Sequence, residues 1–348
     1  MNMKKHLYLS LLAAASALLA GCAKSGDGDP NDNARRDFES WIATFHPDAT
    51  VAGSGIYILE DTPGTGAEFK GADHFAFVHY DQRSLDGTIS ATNREEIAKQ
   101  LGTYDASAYY GPVVWQISKS YIYAGIQEAL CGDGKDLAPM REGGRRSFAV
   151  PSWLQSLKRR KNAAEYLRHE TGVASAVYTV TLEGQTADIL QWQLDTLAAY
   201  AAARYGIAPA DSVKEGFYYA RTGEPEGNAS LAKDTTVYLN YTGRLLNGQV
   251  FDTTIRDTAR RYHLESASAS YGPVKVTCSA DVTKFKMGST SSTLITGFGE
   301  TLQQMHPYEK GTGMFYCYTG YGIAGNNSGI PAYAPLVFEI ELTDNPNE

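Results

Sequence analysis

Apolar residues along the chain follow two helical patterns. Phe38, Trp41, Ile42 and Phe45 are spaced i, i+3, i+4 and i+7, which predicts an amphipathic helix near the start of the chain. A second helical pattern covers about residues 186–205 and contains no glycine or proline. We expect this second helix to connect two parts of the protein as a semi-rigid spacer.

The remaining apolar stretches read as strands. The segments "TTVYLNYTG", "KVTCSADV" (275–282), "TGMFYCYTG" and "APLVFEIELTD" are rich in β-branched and aromatic residues and are bounded by turn residues. Residues 299–305 form a short helical stretch among them, and residues 94–106 and 255–267 have helical composition. These two inserts are expected to lie over a sheet edge. The pattern predicts an α+β fold in which an antiparallel sheet wraps around a short helix.

This unit occurs twice. Residues 55–113 align without a gap with residues 216–274, and 17 of the 59 positions are identical, including a "YGPV" at the end of each copy. Such self-similarity at a fixed offset indicates two tandem copies of one module. The chain length of 348 residues is sufficient for two domains.

The N-terminus has the pattern of an export signal. Lys4 and Lys5 precede an apolar run over residues 7–20, which is too short for a membrane span. The following Leu19-Ala20-Gly21-Cys22 resembles the lipobox of bacterial lipoproteins. That resemblance implies cleavage before Cys22 and a lipid on its thiol. The alternative is an ordinary signal peptide in which Cys22 has no role.

Charge and cysteine content exclude several classes of protein. The net charge of −8 argues against a broad nucleic-acid surface. Cys131, Cys278 and Cys317 form an odd set without a CxxC pair, so we predict no metal site and no cofactor. Either one of these thiols is free or all three are, and a bridge between Cys278 and Cys317 is one possibility.

The second copy carries motifs of a known family. The segments "VYLNYTGRLLNGQVFDTT", "TLITGFGETLQQM", "YTGYG" and "GIPAYAPLVFEIEL" resemble, in order and spacing, the FKBP-type peptidyl-prolyl isomerases over about residues 213–344. Asn240 replaces the histidine of the family's "HYTG", Phe298 replaces the tryptophan of its "VIxGW", and Ala332 replaces the second proline of its "IPP". Each replacement leaves the surrounding motif recognisable.

The resemblance implies a site for X-Pro peptides. The residues implied as catalytic are Tyr241, Asp252 and Tyr321. The residues implied as binding the substrate are Phe251, Phe285, Leu294, Ile295, Phe298, Ile330 and Phe338. Isomerisation makes and breaks no bond, so an apolar aromatic pocket without nucleophile or metal suits this chemistry. Polypeptide clients and the membrane are the expected partners, and nucleic acid is not.

The first copy resembles the family more weakly, over about residues 51–184. Ser90 and Ala91 stand where the second copy has Phe251 and Asp252, and Ile126 stands at the tryptophan position. Tyr178 falls at the last pocket position. A pocket without one wall and its carboxylate is expected to be inactive or nearly so.

Together these patterns predict two tandem FKBP-like modules in a lipid-anchored isomerase of the bacterial cell envelope that assists the folding of exported proteins. The alternative is a non-catalytic binding or chaperone lipoprotein, in which Tyr271 or the helix before it fills the pocket. The expected organisation is a signal peptide (1–21), a lipid-anchored tether with a lead-in helix (22–50), a degenerate domain (51–184), a helical linker (185–212) and an isomerase domain (213–348).

Overall fold

A computed structural model describes residues 29–71, 73–117, 122–227, 231, 235–288, 292–326 and 329–346. These residues form two antiparallel sheets, each packed on a short helix and joined to the other by a long one. The predicted α+β class and the tandem arrangement are confirmed. The predicted signal peptide and Cys22 lie outside the described residues.

The first domain lies before the long helix. Its elements are, in chain order, α1 (Asp32–Phe45), β1 (Thr50–Ala52), β2 (Ile56–Thr62), β3 (Phe75–Ser84), β4 (Ile89–Thr92), α2 (Glu95–Leu101), β5 (Val113–Gln116), α3 (Ala124–Cys131), β6 (Arg145–Val150), α4 (Ala163–Leu167) and β7 (Ala176–Thr186). The sheet order is β1-β2-β6-β7-β3-β4, with β5 also paired to β3.

The linker helix and the second domain follow. Their elements are α5 (Ile189–Tyr205), β8 (Phe217–Gly223), β9 (Thr236–Leu245), β10 (Val250–Thr253), α6 (Arg256–Arg261), β11 (Val274–Thr277), β12 (Lys286–Met287), β13 (Ser292–Thr293), α7 (Thr296–Gln304), β14 (Lys310–Phe315) and β15 (Leu336–Thr343). The sheet order is β8-β14-β15-β9-β11-β12-β13, with β10 also paired to β9.

The two sheets share strand order and register. Tyr178 on β7 pairs with Gln82 on β3, and Phe338 on β15 pairs with Gly243 on β9. Gln82 and Gly243 are separated by the same offset as the sequence repeat. Tyr178 therefore occupies in the first domain the place that Phe338 occupies in the second.

Helix α5 has a well-defined start and end. The Asp188 side chain accepts hydrogen bonds from the backbone N–H groups of Leu190 and Gln191, which satisfies two of the free donors of the first turn. Gly206 ends the helix in the left-handed conformation, with φ 68°, which a glycine adopts without steric cost. The spacer predicted from the sequence is this helix.

Two sequence expectations need correction. The strand predicted over 275–282 ends at Thr277, and Asp281 instead begins a short turn in which its carboxylate accepts a hydrogen bond from the Thr283 N–H. Phe45, at the end of the apolar pattern of α1, is 65% exposed, so the buried stripe of this helix stops at Ile42.

Within the described residues, no helix is long and apolar enough to cross a membrane, and no group of histidine, cysteine or acidic side chains could hold a metal ion. All three described cysteines are free thiols, so Cys278 and Cys317 are not bridged. Burial raises the pKa of Cys131 and of Cys278 to about 11.

Candidate active site

Aromatic side chains from four elements meet on one face of the second sheet. Tyr241 on β9 contacts Phe298 of α7 edge to face, with 5.5 Å between ring centroids. Phe338 on β15 packs against both rings, 5.1 Å from Phe298 and 5.9 Å from Tyr241. Phe251 on β10 closes one side, 5.6 Å from Phe338. These rings form an apolar pocket with one wall on each element.

The order of residues on β9 explains why these rings face the same way. Side chains alternate between the faces of a strand, so Leu239 and Tyr241 point toward the core, and Gly243 lies on the same face. Gly243 leaves room for Phe251, since a Cβ at this position would lie 2.6 Å from two atoms of the Phe251 ring. The small residue in "NYTG" therefore sets the position of the pocket wall.

Replacing Gly243 by alanine is expected to displace the Phe251 ring and raise KM for a proline-containing peptide about tenfold, the size of a typical overpacking cost. Steady-state kinetics on the full chain measure this change. Gly184→Ala is the matched control, because its added methyl group would lie 3.7 Å from Phe77, an ordinary contact. An unchanged KM in Gly243→Ala would show that Phe251 is not fixed by this packing.

The polar edge of the pocket is built by Tyr241 and Asp252. The Tyr241 hydroxyl donates a hydrogen bond of 2.7 Å to Oδ2 of Asp252, whose carboxylate is exposed. Burial, the negative charge of Asp252 and this hydrogen bond raise the pKa of Tyr241, so its hydroxyl remains a donor at neutral pH. A negative charge is thus held at the mouth of the pocket in one orientation.

Tyr321 lies on the loop after β14, here called the flap loop (residues 316–326 and 329–335). Its side chain is 39% exposed, and its pKa is raised first by burial and then by the negative charge of Asp252. Ile330, on the same loop, is buried in the second-domain core, and its N–H donates to the Asn326 side chain. The loop thus places one hydroxyl at the mouth and one apolar side chain in the pocket.

The remaining predicted residues, Phe285, Leu294 and Ile295, precede α7 in the chain. Phe285 is buried, and its carbonyl accepts a hydrogen bond of 3.0 Å from the Leu294 N–H. Ile295 precedes the first turn of α7, and among the described residues its N–H has no acceptor. The structure therefore brings together all ten residues implied by the resemblance, and leaves one backbone donor free near the pocket.

Two residues of the site were missed from the sequence. The Phe315 ring stacks on Phe338 at 5.8 Å, with an angle of 2° between planes, and supports the pocket from below. Thr254 is buried, accepts a hydrogen bond from the Tyr241 N–H and donates one to the Asn240 side chain. The position of Thr254 directly after "FDT" is a signal that could have indicated this role.

Tyr271 does not lie where the non-catalytic alternative requires. Its hydroxyl accepts a hydrogen bond from the Ser266 N–H and donates one to the Leu264 carbonyl, and Arg256 lies over its ring. These contacts keep Tyr271 within its own insert. Within the part of the chain that the structure describes, no ring contact joins it to Phe251.

In the first domain, the equivalent place is covered by the domain's own chain. The Ser156 carbonyl accepts a hydrogen bond of 2.8 Å from the Ala124 N–H at the start of α3. The Arg159 guanidinium donates to the carbonyl of Ile122, and the buried Gln155 side chain accepts a hydrogen bond from the hydroxyl of Tyr178. The charged segment after β6 therefore crosses the end of α3 that is open in the second domain.

Residues 227–343 match the family model described as FKBP-type peptidyl-prolyl cis-trans isomerase. The second domain belongs to this family. The family and enzyme class predicted from the motifs are thereby confirmed for the second domain, and the matched residues all lie within it.

Several solved structures are similar to this chain. The structure of three FKBP domains of wheat FKBP73 is 16% identical, and the match covers 84% of this chain and 94% of that one, with a TM-score of 0.28. A peptidyl-prolyl isomerase from Pseudomonas syringae is 22% identical, and the match covers 45% of this chain and 92% of that one, with a TM-score of 0.30. FkpA from Escherichia coli is 23% identical, and the match covers 44% of this chain and 58% of that one, with a TM-score of 0.32. These scores are low, so the family assignment rests on the sequence match. A comparison with curated proteins gave no match.

Proposed function

We propose that this FKBP-type protein accelerates cis-trans isomerisation of X-Pro bonds in exported proteins while they fold in a bacterial cell envelope. The observation that carries the proposal is the pocket itself. Four aromatic rings line it, and a carboxylate oriented by a tyrosine lies at its mouth.

The pocket suits the transition state of amide rotation. An X-Pro amide rotates over a barrier of about 18–20 kcal/mol because resonance gives the C–N bond double-bond character. Twisting the amide removes this resonance and makes the carbonyl less polar. A dry aromatic pocket that grips the proline ring stabilises the twisted state more than either planar state, which lowers the barrier.

The polar groups at the mouth hold and polarise the peptide. The free N–H of Ile295 and the hydroxyl of Tyr321 are the donors available to the peptide carbonyls on either side of the proline. Asp252, fixed by its hydrogen bond from Tyr241, supplies a negative charge near the twisted amide. Because these groups are ordered before the substrate arrives, little reorganisation accompanies the rotation.

The chain from residue 23 onward is expected to accelerate cis-to-trans relaxation of an X-Pro peptide. Without an enzyme this relaxation takes tens to hundreds of seconds, and with the chain present it should be much faster. A stopped-flow or protease-coupled assay measures the rate constant. A rate equal to the uncatalysed one would exclude the enzymatic proposal. The first domain is proposed to contribute no turnover, because Ala91 lacks the carboxylate of Asp252 and its own chain covers the end of α3.

A lipid on Cys22 is proposed to hold the protein at the membrane. In a bacterial host, the full chain is expected in the membrane fraction, and Cys22→Ser is expected to move it to the soluble fraction. Cys131→Ser is the control, since Cys131 is half-buried in the first domain and unavailable for lipid attachment. Membrane retention of the Cys22→Ser variant would exclude anchoring through this residue.

A further inference from the structure

The flap loop of the second domain is in contact with the first domain and with the linker helix. It carries Tyr321 and Ile330, two of the residues on which the proposed catalysis depends. Such connecting loops are usually held only by their own domain and are among the more mobile parts of a protein. Three separate contacts fix this one from outside.

The first contact is made by Tyr333. Its ring packs edge to face against Phe75 of the first sheet, with 5.5 Å between centroids, and its hydroxyl donates to Oε1 of Gln116 at 3.2 Å. The Tyr333 backbone has φ 60°, a conformation that costs non-glycine residues about 1–3 kcal/mol and persists where the surroundings fix it. The buried ring of Tyr333 is directed into the first domain by this backbone.

The second contact comes from helix α5. The Cys317 N–H, at the start of the flap loop, donates a hydrogen bond of 2.9 Å to Oε1 of Gln193. Both residues are fully buried. A buried hydrogen bond of this kind is costly to break, because each group would be left without a partner away from water. Cys317 also belongs to an apolar cluster shared by both domains and the helix, in which Tyr333, Ile189 and Trp192 pack with Phe75 and Phe77 of the first sheet.

The third contact lies beside the pocket. The first-domain loop that follows α2 approaches Gly329 so closely that a Cβ there would lie 2.6 Å from the Ser107 carbonyl oxygen and 3.4 Å from Cβ of Phe251. The next carbonyl, of Ala108, accepts a hydrogen bond of 2.9 Å from the side chain of Gln249, two residues before Phe251. This first-domain loop therefore contacts both the start of β10 and the flap loop.

We propose that the first domain is a structural part of the isomerase site. By fixing the flap loop at three points and the start of β10 at a fourth, it positions Tyr321, Ile330 and Phe251 for the substrate. The proposal deepens the function proposed above and rests on it. It also explains why a first copy without the pocket residues keeps its fold: the contacts come from its sheet and its insert loop, neither of which needs a pocket.

Two variants of the full chain test this role. Gly329→Ala places a methyl group against the Ser107 carbonyl and separates the two loops. Tyr333→Phe removes only the hydroxyl that reaches Gln116. Gly184→Ala controls for the first. Tyr308→Phe controls for the second, since Tyr308 also has φ 60° and its hydroxyl bonds to Asp344 within the second domain.

Two readouts are needed, kcat/KM for an X-Pro peptide and amide hydrogen exchange of peptides spanning 316–335. The loss of one hydrogen bond in Tyr333→Phe should lower kcat/KM and speed exchange about two- to tenfold. Gly329→Ala should exceed this, at about tenfold or more, because overpacking displaces backbone. The urea midpoint and circular dichroism of both variants report whether they are folded.

The outcomes separate the two proposals. If both variants match their controls in exchange and kcat/KM, the positioning role is overturned. Faster exchange with unchanged kcat/KM also overturns it, because the order of the flap loop would then be irrelevant to turnover. If the unmodified chain has no isomerase activity, the proposed function fails, and hydrogen exchange alone decides whether the first domain orders this loop.

Discussion

Replacing Asp252 by alanine is expected to lower kcat/KM for an X-Pro peptide about ten- to hundredfold, the range for losing a hydrogen bond to a charged group. Two effects add. The negative charge at the mouth of the pocket disappears, and the hydroxyl of Tyr241 loses its acceptor at 2.7 Å. Since the Tyr241 ring touches Phe298 and Phe338, a freed hydroxyl also loosens the aromatic wall.

A second substitution separates charge from orientation. Asp252→Asn keeps an acceptor for the Tyr241 hydroxyl but removes the charge, so a loss as large as in Asp252→Ala would assign the effect to electrostatics. Asp257→Ala is the matched control, because that carboxylate is 92% exposed and forms only a surface ion pair with Arg260. A kcat/KM within about twofold of the unmodified chain in Asp252→Ala would exclude a catalytic role for this residue.

The same variant tests the first domain. If the first domain had activity of its own, the full chain with Asp252→Ala would retain a plateau of turnover. In the first domain, the segment that contains Ser156 and Arg159 is hydrogen-bonded to the start of α3 and to Ile122 just before it. Residual activity is therefore expected to come only from the altered second site.

The second-domain pocket could be predicted from the sequence because its residues lie in short motifs with fixed spacing. Tyr241 and Phe251 face the same side through strand alternation and a tight turn, both of which are local properties. The family resemblance then supplied the distant members such as Phe338. Phe315 was missed because one buried aromatic on a strand does not distinguish support of a pocket from ordinary core packing.

The contacts between domains could not be predicted in this way. Ser107 and Gly329 are separated in sequence by the rest of the first domain, the linker helix and most of the second domain, and neither carries a local signal for the other. The conformation of Tyr333 is likewise unexpected, since a left-handed backbone at tyrosine is favoured only when its surroundings require it. The covering of the first-domain site depends on the same kind of non-local contact, between Gln155 and Tyr178.

A buried carboxylate at the far side of the second sheet gives the largest expected effect on stability. Glu309 is fully buried and accepts hydrogen bonds from the hydroxyl of Tyr219, from the Arg221 guanidinium, and from both the backbone N–H and the ring of His306. Glu309→Ala leaves the Tyr219 hydroxyl and the Arg221 charge without this partner. The free energy of unfolding is expected to fall about 3–5 kcal/mol, because several hydrogen bonds to one buried charge are lost together.

The pH dependence of this contribution has a definite sign. Burial alone would raise the pKa of Glu309, but the hydrogen bonds from Tyr219 and His306 and the charge of Arg221 outweigh it and lower the pKa. A folded pKa below the unfolded value of about 4.3 means that the stabilisation is complete above that pH and is lost as pH falls through the folded value. The difference in the free energy of unfolding between the full chain and Glu309→Ala, measured with urea, should therefore be large at pH 7 and smaller below pH ~4.

Glu341→Ala is the control. It removes only a surface pair with Lys310 and should lower the free energy of unfolding by at most about 1 kcal/mol. Equal losses in the two variants would show that the Glu309 cluster does not stabilise the domain.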